Sequence, residues 1–299
     1  DFTNTTLSLR EALALADGSD GADEIAFAAD PFDSPATIHL TLGALTSSES
    51  VSIAGTGADR LTIDAQGLSR GFDFQRDIHV VLAGLTIREG ATLGDNVDEN
   101  NADHSGGAIR FAGFGDLTLR DVVVTSSRTS GAHAKGGGVF FDGSQLNVVD
   151  SQISDNTTSG EDALGGGLYV GGGSASIIRS SLTNNLTSGD RSSGGGLAAF
   201  GAEVSIEEGE IHGNFTSGVG AAGGGVHAHG SDLYLSSSAV FQNSTSGVGA
   251  GGGGVATNAN TSLLVINSTV STNQASGDSA SGGGIAVGEG GVASFVNAT

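Results

Sequence analysis

The chain has 299 residues and a formal net charge of −22, from 33 acidic and 11 basic residues. This balance opposes nucleic-acid binding, which needs a basic surface, and it also opposes docking on anionic lipid. The absence of cysteine excludes disulfides, thiolate metal sites and a cysteine nucleophile. No run of apolar residues is long enough to predict a membrane-spanning segment.

The first predicted element is a helix over residues 8–16. Ser8 and Glu11 have the spacing of a capping box, and the helix-favouring Ala12-Leu13-Ala14-Leu15-Ala16 follows. Its apolar residues recur on one face, which suits a helix that covers an exposed sheet edge. Strands are predicted after it at Glu24–Phe27, Thr37–Leu42, Ser50–Ile53, Leu61–Asp64 and Val80–Ile87.

An acidic loop comes next, over residues 95–103. Its oxygen-bearing side chains are of the type that Ca²⁺ prefers, although the loop lacks the glycine spacing of an EF-hand. We expect no cofactor, with calcium as the alternative. The candidate ligands are Asp95, Asp98, Glu99 and Asp103.

From residue 106 the chain repeats every 29 or 30 residues. Each repeat is marked by a glycine triplet (once Gly-Gly-Ala) and an aliphatic residue, and the pattern predicts backbone turning at positive φ with close packing. Alternating apolar residues after each triplet predict three short strands per repeat. The aliphatic residues are Ile109, Val139, Leu168, Leu197, Val226, Val255 and Ile285.

These features predict an all-β fold, a right-handed parallel β-helix (β-solenoid) with coils of 29–30 residues and a short N-terminal capping helix. Stacking makes the core continuous, since one coil cannot bury its apolar face alone. We interpret residues 1–299 as one domain. Residues 1–105 would form the cap and irregular coils, residues 106–299 the regular coils, and the chain would be a fragment of a longer protein.

An asparagine ends the third predicted strand of each regular coil. Stacked copies of this residue predict an internal ladder in which each amide bonds to the next and to turn backbone. Four of the asparagines also fit the acceptor pattern for N-glycosylation, which is the alternative interpretation. The ladder residues are Asn156, Asn185, Asn214, Asn243 and Asn273.

Two groups of side chains are candidates for chemistry. A loop cluster occupies similar positions in successive coils and is either a solvated ridge or the charged site of a polysaccharide lyase or hydrolase. It comprises Asp103, His104, His133, Lys135, Glu161 and Asp162. His227 and His229 are expected to project outward from one strand as an exposed pair, which suits a transition metal sterically but lacks an evident third ligand.

The N-terminal segments Leu7-Ser8-Leu9-Arg10-Glu11-Ala12-Leu13 and Asp23-Glu24-Ile25-Ala26-Phe27 resemble the "CSLREA" region of bacterial β-helix surface proteins, with Leu7 where that motif has cysteine. Gly106-Gly107-Ala108-Ile109 and Val240-Phe241-Gln242-Asn243 resemble the GGAI and FxxN repeats of chlamydial polymorphic outer-membrane proteins. This resemblance implies an exported, autotransporter-like surface protein and an adhesive role.

We therefore expect an extracellular or outer-membrane-associated protein that extends from or coats the cell and presents variable loops to a partner. The partner would be a cell-surface protein, a glycan or further copies of the chain, with no nucleic acid and no membrane insertion of this segment. The alternative is a polysaccharide lyase or glycoside hydrolase on the same fold. A minor alternative is an ice- or cation-binding solenoid, although the repeated threonines are expected to face inward.

Overall fold

A computed structural model of the chain describes residues 7–19, 21–28, 35–96 and 102–299. The described strands pair in parallel with the copy one coil away, for example Val139 with Leu168 and Leu168 with Leu197. The fold is therefore the predicted all-β parallel β-solenoid. Its coil length follows from the sequence spacing, because residues 29 or 30 apart lie above one another.

The predicted helix is confirmed as α1, Leu9–Ala16. The Ser8 hydroxyl accepts a hydrogen bond from the Glu11 N–H at 3.3 Å, and the Glu11 carboxylate accepts one from the Ser8 N–H at 2.8 Å. This capping box satisfies amide groups that the first helical turn leaves unpaired. Leu9 and Leu13 are buried and join the main core, so α1 packs against the first coil.

Eight strands are found among the described residues that precede the regular coils. Leu61–Asp64 has the predicted bounds, and the other four predicted strands are found within a few residues of their predicted ends. Three very short strands were not predicted, because they offer too few residues for an alternating pattern. The strands are β1 (Asp23–Ala26), β2 (Ala36–His39), β3 (Leu45–Thr46), β4 (Val51–Ala54), β5 (Leu61–Asp64), β6 (Phe72–Phe74), β7 (His79–Arg88) and β8 (Ala91–Leu93).

Five regular coils, β12 to β31, have four described strands each, where three were predicted. In the first regular coil β10 runs through the bend, and the last described coil has two strands. The additional strand directly follows the asparagine, and sequence patterning missed it because its inward residue is a threonine and not an aliphatic. The strands are β9 (Ile109–Ala112), β10 (Asp116–Thr125), β11 (Arg128–Ser130), β12 (Val139–Asp142), β13 (Gln145–Val149), β14 (Gln152–Ser154), β15 (Thr157–Ser159), β16 (Leu168–Gly171), β17 (Ser174–Ile178), β18 (Ser181–Thr183), β19 (Leu186–Ser188), β20 (Leu197–Phe200), β21 (Glu203–Glu207), β22 (Glu210–His212), β23 (Phe215–Ser217), β24 (Val226–His229), β25 (Asp232–Ser236), β26 (Ala239–Phe241), β27 (Ser244–Ser246), β28 (Val255–Asn258), β29 (Ser262–Ile266), β30 (Thr269–Ser271), β31 (Gln274–Ser276), β32 (Ile285–Val287) and β33 (Val292–Val296).

The described strands form three sheets around one core. A 17-stranded sheet contains the second and third strands of each regular coil, because β7 and β10 run through the bend that later separates them. A seven-stranded sheet holds β8, β11 and the five strands that follow the asparagines, β15, β19, β23, β27 and β31. A nine-stranded sheet holds the strands that follow the glycine triplets, together with β3 and β6. Inward phenylalanines stack between coils in the core, with Phe111 and Phe141 ring centroids 5.4 Å apart.

The glycine triplet is explained by close packing at the bend before the nine-stranded sheet. In the triplet 194–196, Gly194 has φ +69°, which favours glycine over other residues. A Cβ on Gly195 would overlap the carbonyl oxygen of Gly224 in the next coil, and a Cβ on Gly196 would lie 3.0 Å from the Asn214 amide nitrogen. The triplet and the asparagine are therefore parts of one packed corner.

Candidate functional site

The outer face of the nine-stranded sheet carries two columns of side chains, because strand residues alternate between inside and outside. The first column is buried and the second is partly or fully exposed, so something other than the sheet covers the first. The first column is Arg110, Phe140, Tyr169, Ala198, His227 and Ala256, and the second is Ala112, Asp142, Gly171, Phe200, His229 and Asn258.

The cover is the loop between each seven-stranded-sheet strand and the next glycine triplet. Residues 160–164 are typical of it. These loops pair with one another by isolated parallel bridges that join Lys135, Leu164, Ser193, Ala222, Gly251 and Ser281 in succession. The loops therefore form an ordered wall that stands over the first column. The sequence predicted that these loops would form a ridge that varies from coil to coil. In the structure their backbone bridges repeat between coils, and only the side chains differ.

A groove runs along the stack between the loop wall and the exposed second column. Its volume is about 640 Å³. An adjoining depression of about 330 Å³ shares Lys135, Tyr169 and Phe200 with it. The groove is lined by His133, Lys135, Asp162, Leu164, Tyr169, Arg191, Ser193, Phe200, Gly220, Ala222, His227, His229 and Asn258.

Stacked rings form the base of the groove across four coils. The centroids of Phe140 and Tyr169 are 5.3 Å apart with ring planes at 4°, and those of Tyr169 and Phe200 are 5.9 Å apart. The Phe200 ring in turn stacks on the His229 imidazole at 5.2 Å. Phe140 and Tyr169 are buried, whereas Phe200 is half-buried and His229 is exposed. The row of stacked rings therefore becomes more exposed to solvent toward its C-terminal end.

The charged residues of the loop wall form an ion-pair cluster. The Arg191 guanidinium donates to both carboxylate oxygens of Asp162 at 2.8 Å and also to Glu161. Those hydrogen bonds raise the pKa of Arg191. The His133 Nδ1 lies 3.9 Å from Asp162. Because Arg191 engages both oxygens of Asp162, this carboxylate is poorly placed to act as a general acid or base.

Lys135 and Asp142 lie at the other end of the groove. The Lys135 Nζ is 5.2 Å from the Tyr169 ring centroid, within the range of a cation–π contact. Partial desolvation raises the pKa of the Asp142 carboxyl, and the positive charge of Lys135 opposes that effect. The predicted loop cluster is thus brought together in part: His133, Lys135 and Asp162 line the groove, whereas Glu161 reaches it through Arg191.

The expectation of an exposed histidine pair is wrong for one member. His229 is exposed, but His227 is only 5% exposed because the loop wall covers the first column. The His227 Nε2 lies 3.2 Å from the Asn258 side-chain nitrogen, and its Nδ1 is buried without a hydrogen-bond partner. Burial, with a smaller contribution from His229, lowers the pKa of His227 to about 4. His227 is therefore neutral at pH 7.

The acidic loop is only partly described, since Asp98 and Glu99 lie outside the described residues. Asp95 accepts a hydrogen bond from the Ala132 N–H at 2.8 Å. The Asp103 carboxylate lies 3.2 Å from Arg110, on the first column. Within the described ranges, no group of three or more histidine or acidic side chains is placed to hold a metal ion. His104 lies in the same loop, where its backbone N–H donates to Asn96.

The asparagine column lies inside the corner beside the glycine triplets. Asn156, Asn185, Asn214 and Asn243 are fully buried, and Asn273 is half-buried. The side-chain nitrogen of each of the four buried asparagines donates to the Oδ1 of the next asparagine at 2.9–3.1 Å. It also donates to a strand carbonyl of the preceding coil. Attaching a glycan would break these bonds.

Sequence reasoning missed a buried charge cluster and the aromatic floor of the groove. Arg110 binds Asp73 at 2.8 Å with both side chains almost buried, and burial lowers the pKa of neighbouring Arg70 to about 10. The signal for the floor was present in the sequence, because Phe140 and Tyr169 occupy the outward position after the aliphatic residue, where a solvent-facing strand would have polar side chains.

A second depression, of about 540 Å³, lies on the 17-stranded sheet. Asp150 and Arg179 form an exposed ion pair there at 2.7 Å, between Asp121 and Glu208. Hydrogen bonds from Arg179 lower the pKa of Asp150. One arginine among several carboxylates, with an exposed ion pair, makes this depression a solvated acidic edge.

The comparisons with known proteins reveal little about this site. No family model matches the chain, and no curated protein matches it. One similar solved structure is the A-module of a mannuronan C-5 epimerase from Azotobacter vinelandii, with 12% identity, a TM-score of 0.29, and coverage of 97% of this chain and 94% of that one. None of the described helices is long and apolar enough to cross a membrane.

Proposed function

We propose that this chain is a β-helix displayed outside a bacterial cell, and that it binds a polysaccharide in the groove without chemical turnover. The observation that carries the proposal is the groove itself, which runs along the stack over several coils. Coils rise by about 4.8 Å each, close to the length that one pyranose adds to an extended chain. Successive sugar units could therefore meet successive coils.

The lining supports binding of sugar rings. Phe200 and His229 offer ring edges, because the Phe200 ring is stacked between Tyr169 and His229. Asn258, one coil further along the same column, offers a side-chain amide. Flat apolar groups beside a few hydrogen-bonding groups are typical of ligand sites. The resemblance to CSLREA-type and polymorphic outer-membrane proteins supports display on the cell surface and an adhesive role.

A second candidate function is a polysaccharide lyase or glycoside hydrolase in the same groove. Its support is Asp142, whose raised pKa and position beside Lys135 and Tyr169 suit proton transfer. We place it second because Asp162, the carboxylate of the loop wall, is bound on both oxygens by Arg191. Prolonged incubation with the panel below, followed by analysis of chain length and unsaturated ends, tests it directly.

Affinity electrophoresis in gels that contain single soluble polysaccharides tests the binding function. The panel holds hydroxyethylcellulose, xylan, mannan, glycol chitin, alginate and polygalacturonate. Phe200→Ala should lose retardation, with an affinity about tenfold weaker, or about 1.4 kcal/mol. Phe215→Ala is the matched control, because Phe215 is an outward, half-buried phenylalanine of the seven-stranded sheet in the same coil. Equal retardation of both variants, or no retardation of the wild type in any gel, would reject the proposal.

A further inference from the structure

The charged groups of the groove are already matched to partners within the protein. Arg191 binds Asp162 through two hydrogen bonds of 2.8 Å and contacts Glu161 as well. A guanidinium in a bidentate pair has its donor fork occupied. The cation best placed on the loop wall is therefore engaged by carboxylates before any ligand arrives.

The charge of Lys135 is also opposed locally. Its ammonium lies over the Tyr169 ring and interacts electrostatically with the Asp142 carboxyl. Lys135 is the sole lysine of the sequence, so no second ammonium can add to it. His227, farther along the groove, is neutral at pH 7 because burial lowers its pKa to about 4.

The groups left to face a ligand are uncharged donors, acceptors and rings. They are the edge of the Phe200 ring, the Asn258 amide and carbonyl oxygens of the loop wall. The N–H groups of Gly220 and Ala222 already donate to neighbouring coils. Around them the protein carries a net charge of −22, which repels polyanions over about one Debye length, roughly 10 Å at 0.1 M salt.

We propose, on the basis of the binding function above, that the ligand of the groove is an uncharged polysaccharide and not a polyuronate. Hydroxyl or acetamido groups can bond to the Asn258 amide and to carbonyl oxygens of the loop wall, each of which has two lone pairs. The apolar faces of the sugar rings can contact the edges of Phe200 and His229. A uronate chain would instead place carboxylates beside Asp142, Asp162 and Glu161, with each nearby cation already engaged.

Titration calorimetry with hexasaccharides tests this ligand class. The neutral probes are hexamers of glucose, xylose, mannose and N-acetylglucosamine, and the acidic probes are hexamers of galacturonate and mannuronate. At least one neutral hexamer should bind at least tenfold more tightly than either uronate, with an affinity unchanged between about 20 mM and about 300 mM NaCl. A uronate that binds more tightly than every neutral hexamer would overturn the ligand class and leave the binding function standing. Absence of binding by any hexamer would reject both.

A gain of function gives a sharper test. Glu161→Gln combined with Asp162→Asn removes the partners of Arg191, so uronate affinity should rise about tenfold. Glu207→Gln combined with Glu208→Gln removes the same charge from exposed positions on the 17-stranded sheet and is the matched control. An equal gain in uronate affinity in both variants would show that the net charge, and not the ion pair in the groove, sets the preference for neutral sugars. No gain in uronate affinity in the first variant would contradict the role of the Arg191 pair.

Discussion

Removing one asparagine from the middle of the ladder should destabilise the protein more than removing a large neighbouring side chain. The Asn214 side chain makes four hydrogen bonds inside the corner. Its Oδ1 accepts from the Asn185 N–H at 2.9 Å and from the Asn185 Nδ2 at 3.1 Å, and its Nδ2 donates to the Leu182 carbonyl at 2.8 Å and to Asn243 Oδ1 at 2.9 Å. Asn214→Ala breaks all four bonds and leaves the Asn185 N–H buried without an acceptor.

The expected loss follows from these bonds. An unsatisfied buried N–H costs about 1–3 kcal/mol, and each of the other three bonds contributes about 1 kcal/mol, for a total of about 4–6 kcal/mol. Phe215→Ala, one residue on, should cost about 2 kcal/mol, because a half-buried phenylalanine loses about half of the ~3–5 kcal/mol typical of a core position.

Urea melts followed by circular dichroism and tyrosine fluorescence measure both losses. The two tyrosines, Tyr169 and Tyr234, lie in the coils on either side of Asn214, so they report unfolding of its neighbours. Equal losses, or a larger loss for Phe215→Ala, would refute the ladder as a source of stability.

Three further predictions concern the same stack. Deletion of residues 1–18 removes α1 and should cause self-association in analytical ultracentrifugation; a variant that stays monomeric with an unchanged melt would rule out the capping role. Thr187→Val should leave the stability equal or higher by about 1 kcal/mol, because the Thr187 hydroxyl is buried without a hydrogen-bond partner. Thr216→Val should cost about 1 kcal/mol, because the Thr216 hydroxyl donates to the Gly223 carbonyl at 3.0 Å. The reverse order in denaturant melts would contradict this prediction. His227 has a pKa of about 4 in the folded protein against 6.5 in the unfolded chain, so it binds protons less readily when folded. Its contribution to the free energy of unfolding is therefore complete above about pH 6.5, and up to about 3 kcal/mol is lost as the pH falls toward 4. His227→Phe should flatten that part of a stability–pH curve and the exposed His229→Phe should not; identical curves would count against the burial of His227.

The solenoid could be predicted from the sequence because its determinants are periodic. A spacing of 29 or 30 residues between Val139, Leu168 and Leu197 requires that like residues stack, and stacking fixes the parallel pairing. The α1 helix was equally predictable, because the capping box of Ser8 and Glu11 is a local signal. In both cases the information lies within one segment or one repeat.

The groove could not be predicted in the same way, because it depends on how far each loop folds back over the sheet. His227 and His229 occupy equivalent outward positions on β24, yet the loop wall buries the first and leaves the second in water. The bidentate pair of Arg191 with Asp162 joins two loops, and the coil that follows has the uncharged Gly220 at the position of Arg191. A repeat shows what is shared between coils, whereas this site consists of what differs between them.

Hydrogen–deuterium exchange with and without the polysaccharide that retards the protein most strongly tests the groove as the binding site most directly. Bound ligand should slow exchange in residues 131–135, 160–164, 189–193 and 218–222 and in β20 and β24, which together form the wall and floor of the groove. Slowed exchange confined to the 17-stranded sheet around Asp150 and Glu208, or no change in the groove segments at saturating ligand, would contradict the account.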